Sequence, residues 1–210
     1  MPVEGVIRFR AQHEAVPLDL SPWCEAARAL LAWRQRLHAA GLVGRDPERY
    51  GGAGYGNLSA RTEGEAFLIT GTQTGGLEDL GPEHLCLVRR CHIEENRVES
   101  GGPVLPSSEA MTHAAVYRAR PDARFVFHAH SPEIFRAAEA LRLPETPAQV
   151  PYGTPEMARA VAALLERAPA ARVFVMRGHE DGIVSFGASA EEAGHALLEA
   201  QQRAERAARP

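Results

Sequence analysis

The stretch FVFHAHSPE, residues 125–133, limits the fold of this 210-residue chain more than any other. A short apolar run closed by a serine and a proline reads as a buried strand that stops where a helix begins, because proline suits the first helical turn. Side chains alternate across a strand, so Val126, His128 and His130 point one way while Phe125, Phe127 and Ala129 point the other. Both imidazoles then project from one side at a spacing that suits one metal ion. For the HxH pair alone, the alternative is two hydrogen-bonded structural histidines.

A third ligand decides between these readings. VFVMRGH (173–179) repeats the grammar of FVFHAH: an apolar strand that ends on a histidine, here His179 beside Gly178. Three neutral imidazoles leave a coordination position open on a divalent ion such as zinc, which is the mark of a catalytic site. Glu109 is placed by the sequence in the first turn of a helix after Ser107 and Ser108, where it can act as acid or base. Its alternative role there is a capping acid favoured by the helix dipole.

The rest of the chain supplies the frame. Residues 1–20 read as an irregular or extended arm. Ser21 and Pro22 then open a helix in which Trp23, Ala27, Leu30, Leu31 and Leu37 recur at helical spacing until Gly41. From Gly51 to about Arg97, short apolar runs broken by glycine predict a meander of antiparallel strands. Beyond Gly101-Gly102-Pro103 the order is helix, strand (ARFVFHAH) and helix (SPEIFRAAEALRL). A further helix is capped by Thr154 ahead of Pro155, strands ARVFVMRGH and GIVSFG follow, and Ser189 with Glu192 forms a capping box for the last helix. The expectation is an α/β or α+β protein, its helices covering a largely antiparallel sheet, with an arm at 1–20 and one domain at 21–210.

Composition excludes several classes of partner. The chain is 45% hydrophobic and 24% charged with a formal charge of -4, and all of its basic residues are arginine. Neither sign dominates a long stretch, so no nucleic acid and no membrane surface is expected, and a small molecule is. No apolar run approaches the roughly 20 residues that span a bilayer, and the start lacks a signal-peptide core, so the expected location is cytoplasmic. Cys24, Cys86 and Cys91 are odd in number and without CxxC spacing, which points to idle or buried thiols.

The chain resembles the class II aldolase/adducin family in five stretches that stand in the family's order: GYGNLSAR (54–61), FLITGTQTG (67–75), PSSEAMTHAAVYRARPDARFVFHAHS (106–131), VPYGTPEMARAV (150–161) and VFVMRGHEDGIVSFG (173–187). The resemblance implies a three-layer α/β/α fold with a mostly antiparallel central sheet, assembled as a homotetramer with sites between subunits. It implies that His128, His130 and His179 hold a divalent metal, zinc first and manganese or cobalt as alternatives. Glu109 becomes the catalytic acid/base, and Asn57, Thr74, Gly75, Ser107 and Ser108 fall where the family grips a substrate phosphate. Backbone N–H groups and hydroxyls at glycine-rich turns are suited to an anion. The implied reaction is aldol cleavage of a small sugar phosphate or related hydroxy-carbonyl compound through an enediolate; dehydration or epimerisation of a sugar phosphate, or an adducin-like assembly role without catalysis, are the alternatives.

The chain also departs from the family pattern. TGTQTGG carries two extra residues, which blurs which threonine meets a phosphate. The stretch from His130 to Val150 is short, and the tail QQRAERAARP lacks tyrosine, where an aldolase of the family uses tyrosines for proton transfer. Glu180 replaces a usual glycine after the third histidine and reads as a solvated turn acid. His113, four residues after Glu109 on one helical face, reads as a hydrogen-bonded helper. The arm lies outside the resemblance.

Overall fold

The structure is a computed structural model and describes residues 5–208. Its first half runs β1 (Arg10–Ala15), α1 (Cys24–Ala39), β2 (Gly44–Arg45), β3 (Gly54–Tyr55), β4 (Asn57–Arg61), β5 (Phe67–Thr70), β6 (Leu85–His92) and β7 (Arg97–Gly102). The second half runs α2 (Ala110–Ala119), β8 (Phe125–His130), α3 (Pro132–Ala137), α4 (Pro155–Arg167), β9 (Val173–Val175), β10 (Gly182–Gly187) and α5 (Ala190–Ala207). Eight strands form one sheet in the order β1-β7-β6-β5-β4-β8-β10-β9, and β2 pairs with β3 outside it. Every neighbouring pair in the large sheet is antiparallel except β1 with β7.

The strand alternation divides the interior in two. On one face Phe67, Ile69, Val88, Val98, Val126 and Val184 pack under α2 and α4, which contribute Met111, Ala115, Met157, Val161 and Leu165. On the other, Leu58, Ala60, Leu68, Phe127, Ala129 and Ile183 meet α1, α3 and α5 through Leu30, Trp33, Leu37, Ile134, Ala193 and Leu197. A sheet with both faces apolar must be covered twice, and this produces the expected α/β/α layers. Gly194 lets α5 close on α1: a Cβ there would lie 2.1 Å from the Trp33 ring.

Several boundaries differ from the sequence reading. Part of the arm is a strand: β1 adds to the sheet edge beside β7, and Phe9 is buried in the core. Ser21–Trp23 is a 3-10 turn ahead of α1, with Trp23 at the cap position. The helix after His130 is short, ending at Ala137. Thr154 and Ser189 do cap α4 and α5, their hydroxyls accepting from the backbone N–H of Met157 and Glu192. Among the described residues no helix is long and apolar enough to cross a membrane. Cys86 and Cys91 are buried, and burial pushes both thiols up to about 12, so they are protonated and inert at neutral pH.

Candidate metal centre

β8 is a central strand, flanked by β4 and β10, so its two histidines are positioned by ladders on both sides. His128 stands opposite Asn57 on one side and Val184 on the other, while His130 pairs with Gly182 at the strand end. The alternation places both rings on the α2/α4 side, in line with Val126. His179 arrives differently from the sequence expectation. β9 stops at Val175, and His179 lies in the following turn rather than at a strand end. That turn is closed by Met176 N–H to the Gly182 carbonyl, His179 N–H to Met176 and Gly182 N–H to His179, at 2.8, 2.9 and 2.9 Å.

The three rings converge. One ligand nitrogen from each of His128, His130 and His179 lies within 4.8 Å of the others, and all three residues are buried. The Nε2 atoms of His128 and His130 are 3.2 Å apart. Two imidazole nitrogens on a tetrahedral zinc ion, each about 2.0–2.1 Å from it, are separated by roughly 3.3 Å. His128 Nδ1 donates to the Ile183 carbonyl at 3.1 Å, which turns its Nε2 lone pair inward. Burial first, then the neighbouring imidazoles, holds His128 and His130 well below the usual histidine range. Neutral rings are what a cation requires, so the donor set fits a divalent ion.

Glu109 closes the arrangement. It is 1% exposed, and its Oε1 lies 3.8 Å from His179 Nδ1. It occupies the cap position of α2, which begins at Ala110 rather than before it, and its backbone N–H donates to Ser107 Oγ at 3.2 Å. His113, one turn later, is held through Nδ1, which shares a 2.6 Å hydrogen bond with Ser59 Oγ, and that hydroxyl in turn meets Tyr117 at 2.8 Å. Glu180 is exposed, as a turn acid should be.

The five residues expected at a substrate phosphate lie on segments that touch one another. The turn 71–75 is tied to the segment before Ser107 by the Gly71–Pro106 bridge and by Thr72 N–H to the Leu105 carbonyl at 2.9 Å. Gly75 packs directly on the backbone of Tyr55, two residues from Asn57. The Thr74 hydroxyl donates to the Gly71 carbonyl at 2.7 Å, so it braces its own turn. From behind, the buried Arg34 donates to the carbonyls of Thr74, Gly75, Leu77 and Glu78.

Sequence reasoning missed the aromatic wall. Tyr50 stands edge-on to His130 with centroids 4.6 Å apart, and Tyr152 stacks on His179 at 4.1 Å and 18°. The Tyr50 hydroxyl donates to Asp181 at 2.8 Å, and Arg49 pairs with the same carboxylate at 3.1 Å. Burial, followed by that carboxylate, raises the Tyr50 phenol above its usual range. The signal was present as scarcity: the chain has 4 tyrosines, and Tyr50, Tyr55 and Tyr152 all contact candidate ligand rings.

Burial of neutral histidines makes stability depend on pH. His113 is pushed down to about 3 by burial, so the folded chain refuses a proton that the unfolded chain accepts below about 6.5. Stability is therefore fully present above that value and is lost as pH falls toward about 3. For the metal-free protein we expect His113 alone to remove roughly 2 kcal/mol by pH 5, with His128 and His130 adding in the same direction. Urea midpoints at pH 7 and pH 5 measure this, and equal midpoints would contradict it.

Comparison with known proteins agrees with this architecture. Residues 46–208 match the family described as class II aldolase and adducin N-terminal domain. L-fuculose-1-phosphate aldolase from Thermus thermophilus is similar at 25% identity and a TM-score of 0.58, covering 89% of this chain and 98% of that one. YgbL from Klebsiella pneumoniae, a candidate aldolase/epimerase/decarboxylase, gives 24% identity and 0.64, covering 87% and 88%. A sugar-phosphate aldolase from Thermotoga maritima shares the fold at 16% identity and 0.65, covering 87% and 93%. The family match supports an aldolase-type enzyme that uses a divalent metal, and the histidine triad has a geometry able to hold one. With most of its length inside the matched domain, the chain belongs to the class II aldolase/adducin family.

Proposed function

We propose that this protein is a metal-dependent carbon-carbon lyase acting on a small sugar phosphate. The observation that carries the reading is the convergence of His128, His130 and His179, three buried imidazoles with ligand atoms within 4.8 Å of one another, beside the buried carboxylate of Glu109. When bound, a divalent ion supplies Lewis-acid stabilisation of the enediolate charge left when the bond beside a carbonyl breaks. Glu109 accepts and returns the substrate proton at its carboxylate. Tyr50 and Tyr152 exclude water from two sides of the histidine cluster, which strengthens electrostatic interactions inside it. Asn57, Thr74, Gly75, Ser107 and Ser108 face the substrate phosphate, and Arg34 keeps the 71–78 loop in shape. Zinc is the first candidate, with manganese and cobalt behind it. We further infer a homotetramer.

A fold retained for assembly alone has no chemical need for three buried histidines and a buried glutamate, which argues against a scaffold. Dehydration or epimerisation would use the same ion and the same carboxylate, so reaction products must separate these readings. The deciding experiment incubates zinc-, manganese- and cobalt-loaded protein with a panel of sugar phosphates and identifies products by mass. Two shorter carbonyl fragments are expected. Loss of water or a new epimer would replace the lyase reading, and metal content at trace level after reconstitution would end it. Light scattering of the same sample reports the subunit count.

A further inference from the structure

The segment ahead of β1 lies outside the matched family domain, which begins at residue 46, yet it touches the 71–75 turn. Residues 5–9 are held at several points. The Thr72 hydroxyl donates to the Gly5 carbonyl at 3.4 Å, Asn96 Nδ2 donates to the Arg8 carbonyl at 3.0 Å, and Phe9 is buried in the core with Ile7 packed against it. Between these anchors the half-buried Arg8 lays its guanidinium over the Tyr152 ring, 4.5 Å from the centroid. Tyr152 is the ring stacked on His179 at 4.1 Å. The place a Cβ of Gly153 would take lies 3.1 Å from the Ser108 carbonyl and 3.9 Å from Arg8 Cδ. Arg8 and Ser108 thus both lie close to Gly153, and Arg8 stands one aromatic ring away from a candidate metal ligand.

We propose that Arg8 recognises the phosphate end of the substrate, completing from the N-terminal arm the rim built by Ser107, Ser108 and the 71–75 turn. This rests on the sugar-phosphate reading above. Ser107, Ser108, Asn57 and Thr74 are neutral, and a phosphate monoester carries close to two negative charges at neutral pH. A guanidinium presents paired N–H donors in a plane that fits two phosphate oxygens, and the Tyr152 face holds that plane in advance. The arm's anchors remove freedom that a surface arginine would otherwise lose on binding.

The test titrates inorganic phosphate into zinc-loaded wild-type, Arg8→Ala and Arg8→Lys proteins by calorimetry, with zinc content and thermal midpoint measured on the same samples. Binding roughly tenfold or more weaker in Arg8→Ala, with Arg8→Lys between, at unchanged zinc content, is the expected result. With a phosphorylated substrate, KM should rise by a similar factor while kcat stays within about twofold, as for a contact made equally in ground and transition states. Phosphate binding equal in wild type and Arg8→Ala would overturn the assignment and leave the lyase reading standing. Zinc lost from Arg8→Ala would also overturn it, since Arg8 would then act on His179 through Tyr152. A wild-type protein that binds zinc but no phosphate would remove both the assignment and the sugar-phosphate reading.

Discussion

Glu109→Gln is expected to lower turnover by about 10²–10⁴-fold while bound metal is unchanged. The side chain is 1% exposed and lies 3.8 Å from a ring of the histidine triad, so the amide fits the same space. Its backbone N–H stays with Ser107 and its carbonyl still accepts from His113 N–H at 3.1 Å, so the start of α2 is undisturbed. What the amide cannot do is take up a proton and give it back. Steady-state rates of the metal-loaded variant, read beside its metal content, separate this from a ligand role. Unchanged turnover would remove Glu109 from the chemistry, whereas metal lost together with activity would make it a ligand instead.

His128→Ala is expected to raise the metal dissociation constant by roughly 10²–10³-fold, because four-ligand zinc sites are worth about 10–16 kcal/mol and one ligand carries a share of it. The variant also opens a cavity at a residue with 0% exposure and leaves the Ile183 carbonyl without its imidazole donor. Chelator competition measures the affinity, and far-ultraviolet circular dichroism checks the fold. His195→Ala is the matched control, since that exposed ring meets the edge of Trp33 at 5.2 Å on the opposite side of the sheet. Equal affinity in His128→Ala and His195→Ala would mean the triad does not hold the metal.

The layered fold was legible in the chain because its signals are local. Alternation in FVFHAH placed Val126 and both histidines on one face, and the structure puts Val126 in the core beneath α2 and α4. The Thr154 and Ser189 caps, the glycine-broken meander and the final helix also follow from neighbours a few residues apart. His128 and His130 share a strand, so their joint direction needed only the period of the backbone.

Other features depended on contacts between distant segments. That His179 comes within reach of His128 depends on a turn whose hydrogen bonds close across Met176 and Gly182, and on Gly178, where a Cβ would lie 1.7 Å from the Val150 carbonyl. Tyr152 reaches His179 through that same close approach, and Tyr50 reaches His130 because its hydroxyl finds Asp181, 131 positions away in sequence. The arm was unreadable for a related reason: RAQHEA has no buried face, and only the free edge of β7 makes it a strand. Periodicity and capping therefore determined the elements and the two-histidine strand, whereas only the packed chain decided which rings surround the histidine triad and that Arg8 lies over Tyr152. Local patterns record what each backbone segment prefers; proximity across the fold is settled by the shared burial of segments that carry no sequence mark of one another.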